Sequence, residues 1–223
     1  FTTLAAQPGA PFSINDIVPI ANHLTEAGVV AVKADSPYKT IEELVAAAKE
    51  KGNLKASTNG NKASNHTAAQ LLAKSAGFKY KAIPYGGTAD QLLALRQGEV
   101  DFTCAKVADV AKLVKGDKPE LRVLAVFNTK RDPELPNVPT LGEKGLYPEW
   151  YGSARALVAP KGTKPEVIQY YVEAFKKTMQ DPAVIEAHKK AGMALDFKDN
   201  KELGDLIKAQ DKFARDVVND LYK

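Results

Sequence analysis

A single cysteine, Cys104, occurs in the 223 residues, so the chain can close no internal disulfide. Without a second cysteine or a local histidine cluster, the sequence offers no metal site. Histidine is nearly as scarce: His23, His66 and His188 show no ligand spacing such as H-E-x-x-H. No serine sits in a G-x-S-x-G elbow, and neither a G-x-x-x-x-G-K-S/T loop nor a G-x-G-x-x-G turn follows a strand-like run. Local signatures of nucleophilic catalysis and of nucleotide binding are therefore missing, and no catalytic residue or cofactor is expected. No apolar run approaches the roughly 20 residues that a membrane-spanning helix requires. Internal repeats and low-complexity tracts are absent as well. The sequence opens at Phe1 with no Met, basic n-region or apolar h-region, so any signal peptide is expected to have been removed or to lie outside it.

Hydrophobic residues make up 44% and charged residues 26%, the balance of a soluble globular protein with one large or two small domains. A net charge of +4 raises the question of nucleic acid. The cations, however, are interleaved with acids, as in Lys49-Glu50-Lys51 and Asp211-Lys212, rather than gathered among stacking aromatics. No nucleic-acid partner is expected.

From about residue 28 to 127, short β-like runs alternate with helical patterns. Val29-Val30-Ala31-Val32 precedes Thr40-x-x-Glu43, a capping box that opens a helix from Ile41 to Lys51, closed by Gly52. Strand-like Leu54 to Ser57 leads to a helical pattern over Ser64 to Ala76, and Lys79 to Ile83 alternates as a strand does. Thr88-x-x-Gln91 reads as a second capping box, for a helix ending at Gly98. Val100 to Cys104 precedes a helix over Val107 to Lys115, and Leu121 to Phe127 reads as another strand. This rhythm predicts a parallel sheet covered by helices. Pro133, Pro136, Pro139 and Pro148 then exclude a long helix over residues 128–150. Beyond them come apolar Ala156 to Ala159 and Thr163-x-x-Glu166, a third capping box. Its helix stripes Ile168, Tyr171, Val172, Phe175 and Met179, and the last helix, from about Lys201, stripes Leu203, Leu206, Ile207, Phe213, Ala214, Val217, Val218 and Leu221.

The segment Ser57 to Thr67 follows a strand and runs into a helix near Ser64. Its small residues let the backbone approach a ligand, and the free N–H groups of the helix start would face the sheet's carboxyl edge, where open α/β sheets bind ligands. The same residues also suit a polar loop with an N-cap serine, and spacing alone leaves both readings open. Pro84-Tyr85-Gly86-Gly87-Thr88 repeats the design after the next strand, and Asp101 to Lys106 reads as a third strand end on that edge. Lys106 could place a cation there. Tyr85, Phe102 and Trp150 suit either packing or an apolar ligand body.

These motifs resemble the Bug-type periplasmic solute receptors of tripartite tricarboxylate transporters. The resemblance runs through Lys39-Thr40-Ile41-Glu42-Glu43-Leu44, Ser64-Asn65-His66, Pro84 to Thr88, Gly98-Glu99-Val100-Asp101-Phe102, and Leu124-Ala125-Val126 with Lys130-Arg131. It continues through Leu135-Pro136-Asn137-Val138-Pro139-Thr140-Leu141 and Ala159-Pro160-Lys161-Gly162-Thr163. It covers nearly the whole chain and implies an α/β protein of the type II periplasmic-binding-protein fold. Its two α/β domains, joined by crossover strands, would close on a small carboxylate. Domain one would comprise residues 1–29 and 148–223, and domain two residues 30–147. Family members normally begin with strand–helix units that this sequence does not contain, so domain one is expected to be incomplete and the faces of its last two helices uncovered.

Carried over position by position, the resemblance puts ligand contacts on Ser57, Asn59, Ala63, Ser64 and Asn65, with Gly87, Thr88 and Asp101 nearby; Lys106 joins these candidates from the reading of its strand end alone. Arg155 stands where some relatives carry an arginine; it would fork onto a carboxylate or turn to solvent or toward Glu149. The implied protein is a periplasmic, monomeric receptor that is not an enzyme, has no cofactor, and serves membrane transporter subunits. The alternatives are the effector-binding domain of a transcription regulator, and an α/β enzyme acting on a carboxylate through Lys106 or His66. A proline at Ala63 or Asn65 is expected to weaken carboxylate binding more than Ser64→Ala does, by deleting a backbone amide.

Overall fold

The structure, a computed structural model, describes residues 2–193 and 195–222, apart from the side chain of Leu4. The chain divides into two compact units, Phe1–Thr25 with Ala154–Lys223, and Glu26–Ser153.

The larger unit is built on a sheet ordered β3-β2-β4-β1-β5. Its strands are β1 (Ile17–Lys33, of which the second half belongs here), β2 (Lys55–Thr58), β3 (Lys81–Pro84), β4 (Phe102–Lys106) and β5 (Leu121–Phe127). The helices are α2 (Ile41–Lys51), α3 (Ser64–Ala76), α4 (Thr88–Gln97) and the short α5 (Val107–Val110). Strand β2 runs parallel to β3 and β4, with Ser57 opposite both Ile83 and Thr103. The sheet is not wholly parallel as the rhythm suggested. Strand β1 runs antiparallel to both β4 and β5, pairing Gly28 with Lys106 and with Phe127. A helix between two strands does not by itself set their relative direction: α2 joins β1 to β2, yet β1 runs opposite to β4, which is parallel to β2. Val29 to Val32 are wholly buried, as expected of a strand covered on both faces.

Thr40 and Glu43 form the capping box that opens α2, and Gly52 closes the helix at φ 67°. The other two expected boxes do not form. Helix α4 starts from Gly87 with no side-chain cap, because Gln91 turns into the core instead. The Thr163 hydroxyl donates to the Pro160 carbonyl, and Pro165 opens the following helix at its first position. Helix α5 stops at Val110, well short of the Lys115 expected. Residues 128–150 carry no helix or strand.

The smaller unit holds α1 (Thr2–Ala5), the first half of β1, β6 (Gly152–Pro160, entering from the larger unit), α6 (Pro165–Met179), α7 (Pro182–Lys190), β7 (Leu195–Lys198) and α8 (Asn200–Asp216). Strands β6 and β7 both pair with β1. Ile20, Ala21, Ala159, Ile168 and Val172 make its core, with Phe175 and Phe197 packed against them. Tyr171, expected on the buried stripe of α6, is exposed. So are Leu157, Val158, Val167, Tyr170 and Ile185, and α7 buries none of its residues. Strand β6 is exposed from Ala154 to Val158, on both of its alternating faces.

Candidate functional site

The parallel registers bring Thr58, Pro84 and Lys106 to one edge of the larger unit, side by side in the order β3-β2-β4. From each strand end the chain turns into a helix, respectively α4 from β3, α3 from β2 and α5 from β4. The amino end of α3 is the centre of this edge.

The loop into α3 is organised by its own side chains. The Asn65 N–H donates to Asn59 Oδ1 at 3.2 Å, so Asn59 caps the helix from six residues away. The Lys62 N–H donates to His66 Nδ1 at 3.0 Å, and Lys62 takes φ 57°, the left-handed region that side chains seldom adopt. The Ala63 N–H reaches the Gly60 carbonyl at 3.4 Å. Thr67 N then makes the first regular turn to the Ala63 carbonyl. The Ser64 N–H donates to no acceptor among the described residues and lies in the first turn, where the helix dipole is positive. The amides of Ala63 and Asn65, on which the proline expectation rested, are therefore already engaged within the loop.

Lys106, 4% exposed, reaches this helix start from the end of β4. Its Nζ donates to Asn65 Oδ1 at 2.5 Å and to Ser64 Oγ at 3.3 Å. An ammonium this deeply buried needs strong acceptors around it. Ser64 and Lys106 thus form one group, with Asn59, Ala63 and Asn65 framing it. Gly87 and Thr88 begin α4 on the same edge, both half-buried. A Cβ built on Gly87 would meet nothing within 4 Å, so the fold leaves open space there.

Three expected residues stand elsewhere. The Ser57 hydroxyl is wholly buried and lies 3.0 Å from both the Gln91 carbonyl and Thr103 Oγ1, inside the layer between sheet and α4. Asp101 precedes β4 and is at the opposite edge, because five residue steps along the strand carry it roughly 16 Å from Lys106. There its carboxylate accepts from the Lys55 N–H at 2.7 Å, pinning the start of β2. Arg155 belongs to the smaller unit, on the exposed stretch of β6. The aromatics are packing: Phe102 stacks edgewise on Phe78 and Tyr80, Trp150 packs against the core, and the Tyr85 hydroxyl donates to Glu99.

The residue that sequence reasoning missed is Gln91. It is wholly buried, and its Nε2 lies 2.5 Å from Thr103 Oγ1 and 2.6 Å from the Cys104 carbonyl, while its Oε1 accepts from Asn65 Nδ2 at 2.9 Å. The available signal was its position three before Ala94 and four before Leu95, on the apolar face of α4. Cys104 is buried beside it, and burial pushes its thiol up to about 12, which leaves it protonated and unreactive at neutral pH.

Burial holds His66 below its ordinary value of 6.5. The folded protein therefore binds fewer protons there than the unfolded chain, and the stabilisation is complete above pH 6.5 and lost as pH falls from there through the lowered value. Protonation also sets a ring N–H against the Lys62 N–H. Thermal melting of the parent should weaken on acidification below pH 6.5, and His66→Gln should flatten that slope; an unchanged slope would place the titration elsewhere.

Comparison with known proteins gives the family and the fold of this chain. The profile of the tripartite tricarboxylate transporter family receptor matches residues 2–221. Among curated relatives, the Cupriavidus necator "UPF0065 protein in gbd 5'region" is 37% identical over 170 residues, 76% of this chain and 50% of its own length. The Pseudomonas sp. strain P51 "UPF0065 protein in tcbD-tcbE intergenic region" is 31% identical over 210 residues, 91% of this chain and 61% of its own length. The chain thus spans between half and about three fifths of these relatives. In fold it is similar to the adipate-bound protein Rpa4515 of R. palustris, with TM-score 0.86 at 20% identity, covering 98% of this chain and 73% of that one. The malate-bound protein MatC of Rhodopseudomonas palustris gives TM-score 0.84 at 21% identity, covering 97% and 75%. With the family profile covering nearly every residue, the chain belongs to the tripartite tricarboxylate transporter receptor family.

Proposed function

We propose that this protein is a periplasmic solute receptor that captures a small carboxylate and presents it to the membrane subunits of a tripartite transporter, without chemical conversion. The observation that carries the site is the Ser64 N–H and the Lys106 ammonium at one helix start, within a chain whose family is that of transporter receptors. A carboxylate there would take one hydrogen bond from the Ser64 amide and one from Lys106. Each charge-assisted bond is worth about 1.5–3 kcal/mol, and the helix end adds roughly 0.3–1 kcal/mol. Gly87 and Thr88 would border the ligand from α4. Asn59, Ala63 and Asn65 would shape the loop rather than donate to the ligand. Adipate and malate, the ligands of the two R. palustris structures, are the natural first probes.

Calorimetry with adipate and malate tests the reading, with nuclear magnetic resonance of the recovered ligand as the check on conversion. Saturable 1:1 binding with the ligand recovered unchanged is expected. Failure of every small carboxylate to bind, or turnover of one, would overturn it. Gly87→Ala refines the location: the open space around Gly87 predicts an unchanged melting temperature, and a methyl in the ligand's path predicts weaker binding. Parent-like affinity in Gly87→Ala would remove α4 from the site.

A further inference from the structure

The buried amides behind Lys106 form a chain whose orientation is forced from both ends. Lys106 Nζ can only donate, so Asn65 must turn its oxygen to it, at 2.5 Å. The Asn65 Nδ2 then faces Gln91 Oε1 at 2.9 Å. Gln91 must in consequence turn its Nε2 toward the sheet, where the Cys104 carbonyl at 2.6 Å and the Ser57 carbonyl at 3.3 Å can only accept. Thr103 Oγ1 receives from the same Nε2 at 2.5 Å and passes its own proton to the Ser57 carbonyl at 2.9 Å. No member can flip its amide without setting donor against donor or acceptor against acceptor. Gln91, Asn65, Ser57 and Thr103 are each at most 1% exposed, so water cannot replace a lost partner.

Such a chain exceeds what packing α4 on the sheet requires, since Leu92, Ala94 and Leu95 already supply an apolar face there. Its outer end is the Lys106 ammonium, which reaches the first turn of α3 at Ser64 Oγ. We infer that Gln91 is a positioning residue for the carboxylate site: through Asn65 it holds the Lys106 ammonium against the Ser64 end of α3, and so sets the strength with which a carboxylate is held. The inference rests on the reading of that helix start as the carboxylate site. It assigns Gln91 no contact with the ligand.

A double-mutant cycle with adipate and malate as probes tests it. Gln91→Met keeps the length of the side chain and removes both hydrogen-bonding groups. In the parent background it should weaken binding about tenfold, the scale on which second-layer partners act. In the Lys106→Met background the same change should leave binding nearly unaltered, because no ammonium remains to be placed. Equal losses in both backgrounds would make Gln91 a structural residue and overturn the inference. In ligand-free protein, the Nζ protons of Lys106 should exchange with water faster in Gln91→Met than in the parent, followed by side-chain nitrogen resonance. Unchanged exchange would equally overturn it. This second readout needs no ligand, so it decides the relay even where neither adipate nor malate binds and the receptor reading itself falls. Should Gln91→Met not fold, Asn65→Ala breaks the same chain while leaving Gln91's contacts with the sheet in place, and carries the same two measurements.

Discussion

Ser64→Pro should bind adipate or malate roughly ten- to a hundredfold more weakly than Ser64→Ala, while melting within a few degrees of it. The substitution is unusually selective. Ser64 is the first residue of α3, the one helical position where proline is favoured, because the N–H it lacks has no partner within the helix. Ala63 before it already holds φ −71° and ψ 171°, the extended conformation a following proline demands. The neighbouring bonds, from Asn65 N to Asn59, from Ala63 N to Gly60 and from Thr67 N to Ala63, are untouched. Both variants lose the Ser64 hydroxyl beside Lys106, so their difference isolates one backbone amide. A charge-assisted bond of about 1.5–3 kcal/mol corresponds to that range of affinity. Calorimetry on the two folded variants is the measurement. Equal affinities would show that the Ser64 amide does not hold the carboxylate, and would shift the weight to Lys106.

The contrast with the proline positions expected from sequence shows where the chain was legible. Strand–helix alternation, the Thr40–Glu43 box and the helix beginning at Ser64 were readable because each depends on residues close in sequence. The clustering of strand ends at one edge followed from topology, and the registers bear it out. What could not be read was the allocation of hydrogen bonds within the loop. Asn59 reaches Asn65, and Lys62 reaches His66, only because Gly60 and Lys62 adopt positive φ. Gln91 was misplaced for a related reason: a Thr-x-x-Gln spacing is compatible with a capping box, but a buried partner such as Asn65, 26 positions away, competes for the same side chain. Asp101 was misassigned by one strand length, since an acidic residue beside a strand carries no local sign of which end it marks. Sequence spacing located the start of α3 and the strand ends beside it, and tertiary competition decided where their side chains went.

The largest stability effect should come from Gly152→Ala, away from the candidate site. A Cβ at Gly152 would stand 1.9 Å from the Glu26 carbonyl oxygen, 2.9 Å from its carbon and 2.8 Å from Trp150 Cζ2. The indole could turn aside, but the carbonyl belongs to the backbone of β1, which is anchored on both sides. The Gly28 N–H donates to the Tyr151 carbonyl at 2.8 Å, and the Tyr151 N–H donates to the Phe127 carbonyl at 3.1 Å. Relief would require the two segments to part by about 1 Å, which breaks these bonds and opens packing that tolerates little slack. The expected cost is at least about 3 kcal/mol, or roughly 6–12 °C in melting temperature for a chain of this size. Gly28→Ala is the graded control. Its Cβ would meet the Tyr151 carbonyl at 3.1 Å and the Phe127 ring at 3.2 Å, contacts that a shift of a few tenths of an ångström relieves. Gly87→Ala, with open space around it, should cost nothing measurable. Thermal unfolding of the three variants should therefore rank Gly152 far below Gly28, and Gly28 at or below Gly87. A Gly152→Ala protein that melts within about 2 °C of the parent, under 1 kcal/mol for a chain this long, would mean that β1 and the 150–152 segment are not pressed backbone to backbone.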